Sequence, residues 1–226
     1  MSTRTILVTI VALATMVIPA VAQAATIRVT TEQGGLLGNR EWVSGSARSY
    51  VNDSRTAMML PRKTALGQLV AATSFAGTPL VVSEFAGLGP YVKSIGTIRV
   101  GARGAWMLWV NGRAASVGAG SLVLKRSDRA LWVLDGNYAR RGPSVLDLRH
   151  RVTASGTTVF TVRTSSGKGW KAAKGASVIA DGVSLGVTDA KGVLSVDLDP
   201  GSDWDVAVAT MKGAIDSQAV LAPMGS

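Results

Sequence analysis

The sequence predicts a mostly β protein with one helix, arranged as two consecutive modules. Short runs rich in Val, Ile, Thr and Trp alternate apolar with polar residues, the period-two pattern of half-buried strands. One segment instead repeats its apolar residues every three or four positions, which indicates a helix. In the second half, strands follow one another closely with Gly-containing turns between them, as is typical of a β-sandwich.

The first module is predicted to begin with a hairpin. Residues 26–32 alternate Ile27, Val29 and Thr31 against more polar neighbours, and residues 36–43 are expected to return as the partner strand. Residues 44–61 are rich in Ser, Asn, Asp and Arg and show little periodicity. We therefore expect an extended loop there.

A helix of about three turns is predicted over residues 63–74. Its apolar stripe consists of Leu66, Leu69, Val70 and Thr73. Because a single helix must bury this stripe, we expect it to lie on a sheet. Three further strands are predicted at residues 106–111, 121–125 and 129–134, with Asn111-Gly112 as a tight turn after the first of them.

The module boundary is predicted near residues 140–143, where Gly and Pro interrupt a strand-like run. This gives a first domain at residues 25–143 and a second at 144–226. The second is expected to be all β, with strands at residues 145–152, 157–164, 176–180, 183–188, 193–198 and 204–209.

The N-terminus has the order of a secretory signal. Arg4 precedes an apolar run at residues 6–17, and Ala22-Gln23-Ala24 forms an A-x-A cleavage site before Ala25. An uncleaved anchor is the alternative, but about a dozen apolar residues fall short of the roughly 20 that a membrane span needs. We expect residues 1–24 to be removed, no later membrane span, and a secreted or cell-surface protein.

Composition limits the partners. The chain has no cysteine, so its stability must come from buried apolar surface rather than from disulfides, as in a bacterial exoprotein. Residues 25–143 carry 15 Lys and Arg against 6 acidic residues, whereas residues 144–226 carry 8 of each. A basic first module outside the cell favours anionic partners such as wall polymers, although a merely solvated surface is the simpler interpretation. The absence of an aromatic-basic motif argues against nucleic acid.

The first module resembles a bacterial domain-of-unknown-function family that is similar to the C-terminal domain of transcobalamin. The resemblance rests on residues 91–95, the W-x-x-W-V-N-G run at residues 106–112, residues 118–119 and residues 127–132. It implies a β-grasp fold, a sheet wrapped on one helix. In transcobalamin this domain closes over cobalamin together with a helical barrel, so the resemblance implies a corrinoid as a ligand class. The predicted elements here include no helical barrel, which leaves half of a cobalamin site missing, and tight cobalamin binding by this protein alone is not expected. No cofactor is expected.

The second module resembles the carboxypeptidase-regulatory or transthyretin-like sandwich family. The matching pattern is G-A-x-V at residues 175–178, T-D-x-x-G at residues 188–192 and Pro200-Gly201. The resemblance implies a prealbumin-like or Ig-like sandwich that supports a neighbouring domain. Gly192 and Asp189 are typical turn formers, so the motif is explained by folding alone.

Enzymatic chemistry is not expected. His150 is the one histidine, it lies on a predicted strand, and no cysteine or serine elbow accompanies it. The acidic cluster Asp197, Asp199, Asp203 and Asp205 could offer oxygen ligands to calcium, but its spacing matches no calcium loop. We therefore predict neither a catalytic nor a metal site.

The predicted binding residues lie on the aromatic strands. If Trp106 covers the helix, alternation turns Trp109 and Asn111 to the other face of the sheet. With Leu131 and Val133 assigned to the helix side, Trp132 would join Trp109 on that face as an exposed stacking platform. The alternatives are that a neighbouring domain or the long loop covers both rings, or that the facing is inverted.

Tyr91 and Lys93 complete the candidate set because they lie in the matching motif. The sequence thus favours a secreted, non-enzymatic binding protein whose first module recognises a small molecule or surface partner. A structural or adhesive surface component, held to anionic wall polymers by its basic first domain, is the alternative.

Overall fold

The computed structural model describes residues 25–31, 34–42, 48–51, 57–85, 89–136, 142–197 and 204–221. The predicted signal segment, residues 1–24, lies outside the described residues, as do residues 140–141 of the predicted boundary and the predicted turn at Pro200-Gly201. Within the described part, the chain is mostly β with one α-helix, as predicted.

The name first module is kept for residues 25–143 and second module for residues 144–226. In the described residues, the first module contains the helix and ten strands. The helix, α1, spans Ala65–Phe75, and the strands are β1 Ala25–Thr31, β2 Gly34–Trp42, β3 Arg48–Val51, β4 Ala57–Leu60, β5 Leu80–Phe85, β6 Gly89–Ile95, β7 Ile98–Arg99, β8 Ala105–Val110, β9 Arg113–Ala114 and β10 Arg129–Asp135.

The main sheet of this module has the strand order β2-β1-β10-β8-β9. Strands β1 and β10 pair in parallel at its centre, and the other neighbours are antiparallel. This central pair joins the first strand of the module to its last. Because the two strands are parallel, the chain between them has to return to the same end of the sheet before β10 begins. A second sheet, β5-β6-β7, and the hairpin β3-β4 complete the module.

The helix begins two residues after its predicted start at residue 63. Thr64 caps it by accepting a hydrogen bond from the Gly67 amide at 3.1 Å, and its hydroxyl donates to the Pro61 carbonyl at 2.8 Å. Gly67 lets the chain before the helix pass closely, since a Cβ at this position would collide with the Pro61 backbone. All residues from Ala65 to Thr73 are buried, so the predicted stripe is buried together with the rest of the helix.

Several first-module predictions need correction. The proposed extended loop contains β3 and β4, although residues 44–47 and 52–56 are outside the described residues. Strands β5, β6 and β7 form a three-stranded sheet that was not predicted. The predicted strand at residues 121–125 is reduced to an isolated bridge between Thr64 and Val123, because this segment instead hydrogen-bonds to the start of the helix through Leu122 and Leu124.

The second module contains nine strands in the described residues. They are β11 Ser144–Val152, β12 Thr158–Ser165, β13 Lys171–Ala172, β14 Ser177–Ala180, β15 Val183–Val187, β16 Val193–Val196, β17 Val206–Thr210, β18 Ala214–Ile215 and β19 Val220–Leu221. Each of the six predicted strands corresponds to one of these, within a few residues at the ends.

Two sheets build the second module. One has the order β13-β12-β11-β18, with β16 also paired to β12, and the other has the order β15-β14-β17-β19. A buried cluster takes Leu146, Phe160 and Val162 from the first sheet and Val178 and Ala207 from the second. The apolar faces of both sheets therefore share one core.

The buried apolar residues of the described segments form three clusters. One lies between the main sheet and α1, and its buried members fall within residues 25–132. The second is the core of the second module. The third joins the modules and contains Trp109, Leu131 and Val133 from one side with Val145 and Ile215 from the other. No helix in the described residues is long and apolar enough to cross a membrane.

Candidate ligand-binding cavity

The facing of β8 and β10 decides what the aromatic residues can do. Trp132 pairs with Leu108, and Leu131 pairs with Trp109. Directly paired residues point to the same side of a sheet, so Trp132 faces the helix whereas Leu131 faces away from it. Trp109 is on the face predicted for it, but the assignment of Trp132 to that face was wrong.

The predicted stacking platform of Trp109 and Trp132 does not exist as an exposed surface. Trp109 is 3% exposed because the second module covers it, with Val145, Ile215 and Trp170 in the same cluster. Trp132 is 2% exposed and lies in the core beneath α1. Of the alternatives considered, cover by the neighbouring domain is therefore correct for Trp109.

A cavity of about 360 Å³ opens on the helix side of the same sheet. Its walls come from α1, β5, β6, β8, β10 and the segment after β9. It is lined by Leu66, Phe85, Gly89, Pro90, Tyr91, Val92, Trp106, Met107, Leu108, Ala115, Val117, Gly118, Ala119 and Trp132. Among the described residues of this lining, aliphatic and aromatic groups dominate and none is charged.

Two tryptophans of the cavity lining have unpaired indole N–H groups. Trp106 and Trp132 are both more than nine-tenths buried, and the Nε1 atom of each has no hydrogen-bond partner among the described residues. An indole N–H can only donate, and leaving a buried donor unpaired costs about 1–3 kcal/mol. Two lining residues therefore carry unused donors that lie just behind the largely apolar surface of the cavity.

The mouth of the cavity is apolar and exposed. Phe85 and Tyr91 meet edge to face with ring centroids 6.3 Å apart, and they are 57% and 42% exposed. Val117 is 52% exposed on the same cavity. These side chains extend the apolar lining to the surface of the first module.

The remaining predicted site residues are separate from the cavity. Asn111 holds a turn with φ of 53°: its amide donates to Asp128 Oδ1 at 2.8 Å, and its Oδ1 accepts from the Arg129 amide at 3.0 Å. Both functional groups are thus used by the turn itself. Lys93 is exposed on β6, two residues beyond Tyr91, and does not line the cavity.

The prediction missed Phe85, Trp106 and Val117 as cavity residues. The apolar run at the start of β5, with Val81 and Val82 beside Leu80, is a strand signal that could have placed Phe85 near Tyr91. Val117 lies in an irregular segment, for which periodicity gives no signal.

The residues considered for catalysis or metal binding make packing contacts or hydrogen bonds within the fold. His150 is half-buried on β11 beside Phe160 and Trp204, at centroid distances of 6.3 and 5.4 Å, and burial lowers its pKa. Asp197 accepts a hydrogen bond from Thr157, whereas Asp199 and Asp203 lie outside the described residues. Within the described ranges, no three His, Cys, Asp or Glu residues are grouped as metal ligands.

The junction between the modules is polar at one end. Arg28 is 6% exposed, and its guanidinium donates to the carbonyls of Leu146 and Asp216 at 3.0 and 2.7 Å and to Gln218 Oε1 at 3.0 Å. Burial lowers the pKa of Arg28 to about 10, with Asp147 opposing the shift and Arg129 adding to it.

Asp147 lies beside Arg28 and binds three other arginines. Its carboxylate forms salt bridges with Arg129 at 3.0 Å, Arg149 at 3.3 Å and Arg163 at 2.7 Å. Gln218 adds a hydrogen bond at 3.0 Å. Burial alone would raise the pKa of Asp147, but Arg129, Arg163 and Gln218 together hold it below its usual value.

One comparison with known proteins gives a match. A family model described as a domain of unknown function, DUF4430, matches residues 70–136. This segment is less than half of the chain, but it contains most of the cavity lining, including Trp106 and Trp132. No curated protein matches the chain.

Proposed function

We propose that the protein is a secreted, non-enzymatic binding protein whose first module takes a small apolar ligand into the cavity under α1. The observation that carries the proposal is the cavity of about 360 Å³ with its aromatic lining and two unused indole donors. Ligand sites in proteins are typically apolar clefts of roughly 300–1,000 Å³ with a few polar groups.

The lining defines the ligand. A molecule with an apolar body suits the walls and the exposed Phe85–Tyr91 pair, and hydrogen-bond acceptors suit the indoles of Trp106 and Trp132. Because both Nε1 atoms are covered by protein, the rings must rotate slightly to present them. An anionic ligand would find no charged partner among the lining residues.

A β-grasp fold for the first module is part of this proposal. Its support is the strand order β2-β1-β10-β8-β9 with a parallel central pair and one helix packed on the sheet. The implied corrinoid class enters here as well. A corrin ring is too large to enter a cavity of this size, so a corrinoid would lie across the mouth, against Phe85, Tyr91 and Val117.

The second module, proposed to be a supporting sandwich at residues 144–226, holds the sheet from its other face. The support is the buried cluster around Trp109 and the hydrogen bonds from Arg28 to Leu146 and Asp216. By fixing β8 and β10 from behind, it would keep Trp106 and Trp132 in place.

Tryptophan fluorescence and thermal unfolding test this function. A panel of corrinoids, wall fragments and small aromatic compounds is titrated, and a true ligand raises the free energy of unfolding by about 2.7 kcal/mol at 100 times its Kd. We expect Trp132→Phe to weaken that binding. Trp109→Phe is the matched control, because this indole lies on the opposite face of the sheet.

Two results would count against a ligand site in the cavity. If both substitutions weaken binding equally, the ligand does not use the cavity. If no compound in the panel alters fluorescence or unfolding, the cavity is a packing defect rather than a site.

Adhesion to anionic wall polymers is the second candidate. Its support is the exposed basic side chains of the first module, among them Lys63, Arg99, Arg103, Lys125 and Arg126. Retention on cells should then fall steeply between about 0.05 and 0.5 M salt, since exposed charges are screened in this range. Release that does not depend on salt would exclude it.

A further inference from the structure

The arginine cluster at the module junction is a second feature that the cavity does not explain. Arg28 and Arg129 come from the first module, and Arg149 and Arg163 come from the second. In the described part of the chain, Asp147 is the one acid that forms salt bridges with this cluster. Three guanidinium groups thus contact one carboxylate, with the charge of Arg28 close by, so in the described residues the arginines of the cluster outnumber its acid.

Like charges held this close repel each other. The pKa of Arg149 shows this repulsion. Burial has the largest effect and lowers the pKa, Asp147 opposes the shift, and the neighbouring Arg129 and Arg163 lower the pKa further. A cluster of this kind is more stable when an additional anion neutralises part of its charge.

The cluster also has donors that face solvent. The Arg149 side chain is 51% exposed and bonds to Asp147 through Nε, which leaves its two terminal nitrogens without a described partner. The side chains of Arg129 and Arg163 are 28% and 29% exposed. A guanidinium provides a planar fork of donors that fits the oxygens of a phosphate or carboxylate.

The arginines are held in position before any ligand arrives. Asp147 fixes three of them, and Arg163 also lies over the Trp170 ring, 5.4 Å from its centroid. Arg151 follows two residues after Arg149 and therefore projects from the same face of β11. Side chains that are already ordered lose less entropy when they bind a ligand.

We propose that this junction is an oxyanion site for a phosphate group, with Arg149 as its outer ligand and Arg129 and Arg163 behind it. Because three arginines share one carboxylate, a group with at least two negative charges, such as phosphate, fits better than a single carboxylate. The phosphate could belong to a free small molecule or to a phosphate polymer. This site is independent of the proposed cavity function, because its residues lie on the opposite side of the main sheet.

Calorimetric titration with inorganic pyrophosphate in low-salt buffer tests the proposal. We expect wild-type protein to bind it and Arg149→Gln to weaken binding by at least about tenfold, since a charged hydrogen-bond donor is lost. Arg149→Lys keeps the charge but loses the planar fork, so its affinity should lie between the two. Trp170 fluorescence is a local readout, as its ring contacts Arg163.

Arg99→Gln is the matched control, because Arg99 is exposed on β7, outside the cluster, and the charge change is the same. It should alter affinity by less than about twofold if the site is local. Equal weakening by Arg99→Gln and Arg149→Gln, or no binding of pyrophosphate by the wild type, would overturn the proposal.

A second titration with long-chain polyphosphate separates the two sources. Tighter binding per phosphate that still depends on Arg149 supports a polymer, whereas similar affinity for both probes supports a free phosphate compound. Polyphosphate binding that is indifferent to Arg149 would overturn the site, because a general basic surface would explain it.

Discussion

The two faces of the main sheet carry similar aromatic residues, but these residues have different surroundings. On the helix face, Trp106 and Trp132 line a cavity that reaches the surface, and their indole nitrogens are unpaired. On the junction face, Trp109 is packed against the second module, and among the described residues no exposed aromatic ring is left there for a ligand to stack on. The helix face therefore has room for an apolar ligand, whereas the apolar part of the junction face is filled by the second module.

This difference predicts where substitutions are costly. A tightly packed apolar contact loses stability when one of its side chains is removed, whereas a cavity with an exposed mouth tolerates change at its rim. Four substitutions test this difference in stability cost between the two faces, and the largest loss is expected at Trp109.

Trp109→Ala should lower the free energy of unfolding by about 3–5 kcal/mol, the range for removing a buried Trp from a core. The cluster with Leu131, Val133, Val145 and Ile215 would lose its largest member. Because that cluster joins the modules, we expect chemical denaturation to change from one transition to two. A loss below about 1 kcal/mol would mean that the junction is not a working interface.

Asp147→Asn should cost about 2–3 kcal/mol near neutral pH, somewhat less than breaking a fully buried pair because the arginines are partly exposed. The folded-state pKa of Asp147 is lowered, so its contribution is present above the ordinary carboxyl pKa of 3.8 and is lost as pH falls below it. Unfolding curves of wild type and variant should therefore converge in acid. A difference that is constant with pH would contradict the assigned ion pairs.

Gly112→Ala adds one methyl group where Gly112 of the first module packs against Trp170 of the second. A Cβ at Gly112 would lie 2.7 Å from Trp170 Nε1, at a φ of 78°. We expect a loss of about 1–3 kcal/mol from the collision, in addition to the backbone strain. Gly156→Ala is the control, because φ is 87° and nothing lies within 4 Å, so it reports the strain alone.

Phe85→Ser at the mouth of the cavity should change the free energy of unfolding by no more than about 0.5 kcal/mol, since the ring is 57% exposed. Thermal unfolding without ligand measures this directly. A loss as large as that of Trp109→Ala would show that the rim is structural, and the contrast between the two faces would then fail.

Local sequence patterns predict most of the secondary structure of this protein. The helix follows from the spacing of Leu66, Leu69 and Val70, and the cap Thr64 stands at its start. The strands of the second module follow from alternation and Gly-containing turns, such as Asp181-Gly182, where both residues have positive φ. These features depend on neighbours within a few residues, which is why a single sequence predicts them.

The facing of β10 could not be predicted in the same way. Residues 130–134 of this strand are all apolar, because one side meets the helix core and the other meets the second module. A strand that is buried on both faces has no polar side to mark its orientation. The position of Trp132 therefore follows from its pairing with Leu108, a contact between distant parts of the chain.

By itself, the sequence determined the β-rich class, the helix, most strands of the second module and the strongly basic character of the first half. Only the tertiary structure decided that Trp109 is sealed, that Trp106 and Trp132 line a cavity with Tyr91, and that arginines from both modules surround Asp147. The physical reason is that propensity and periodicity act along the chain, whereas cover, cavities and charge clusters arise where separate segments meet.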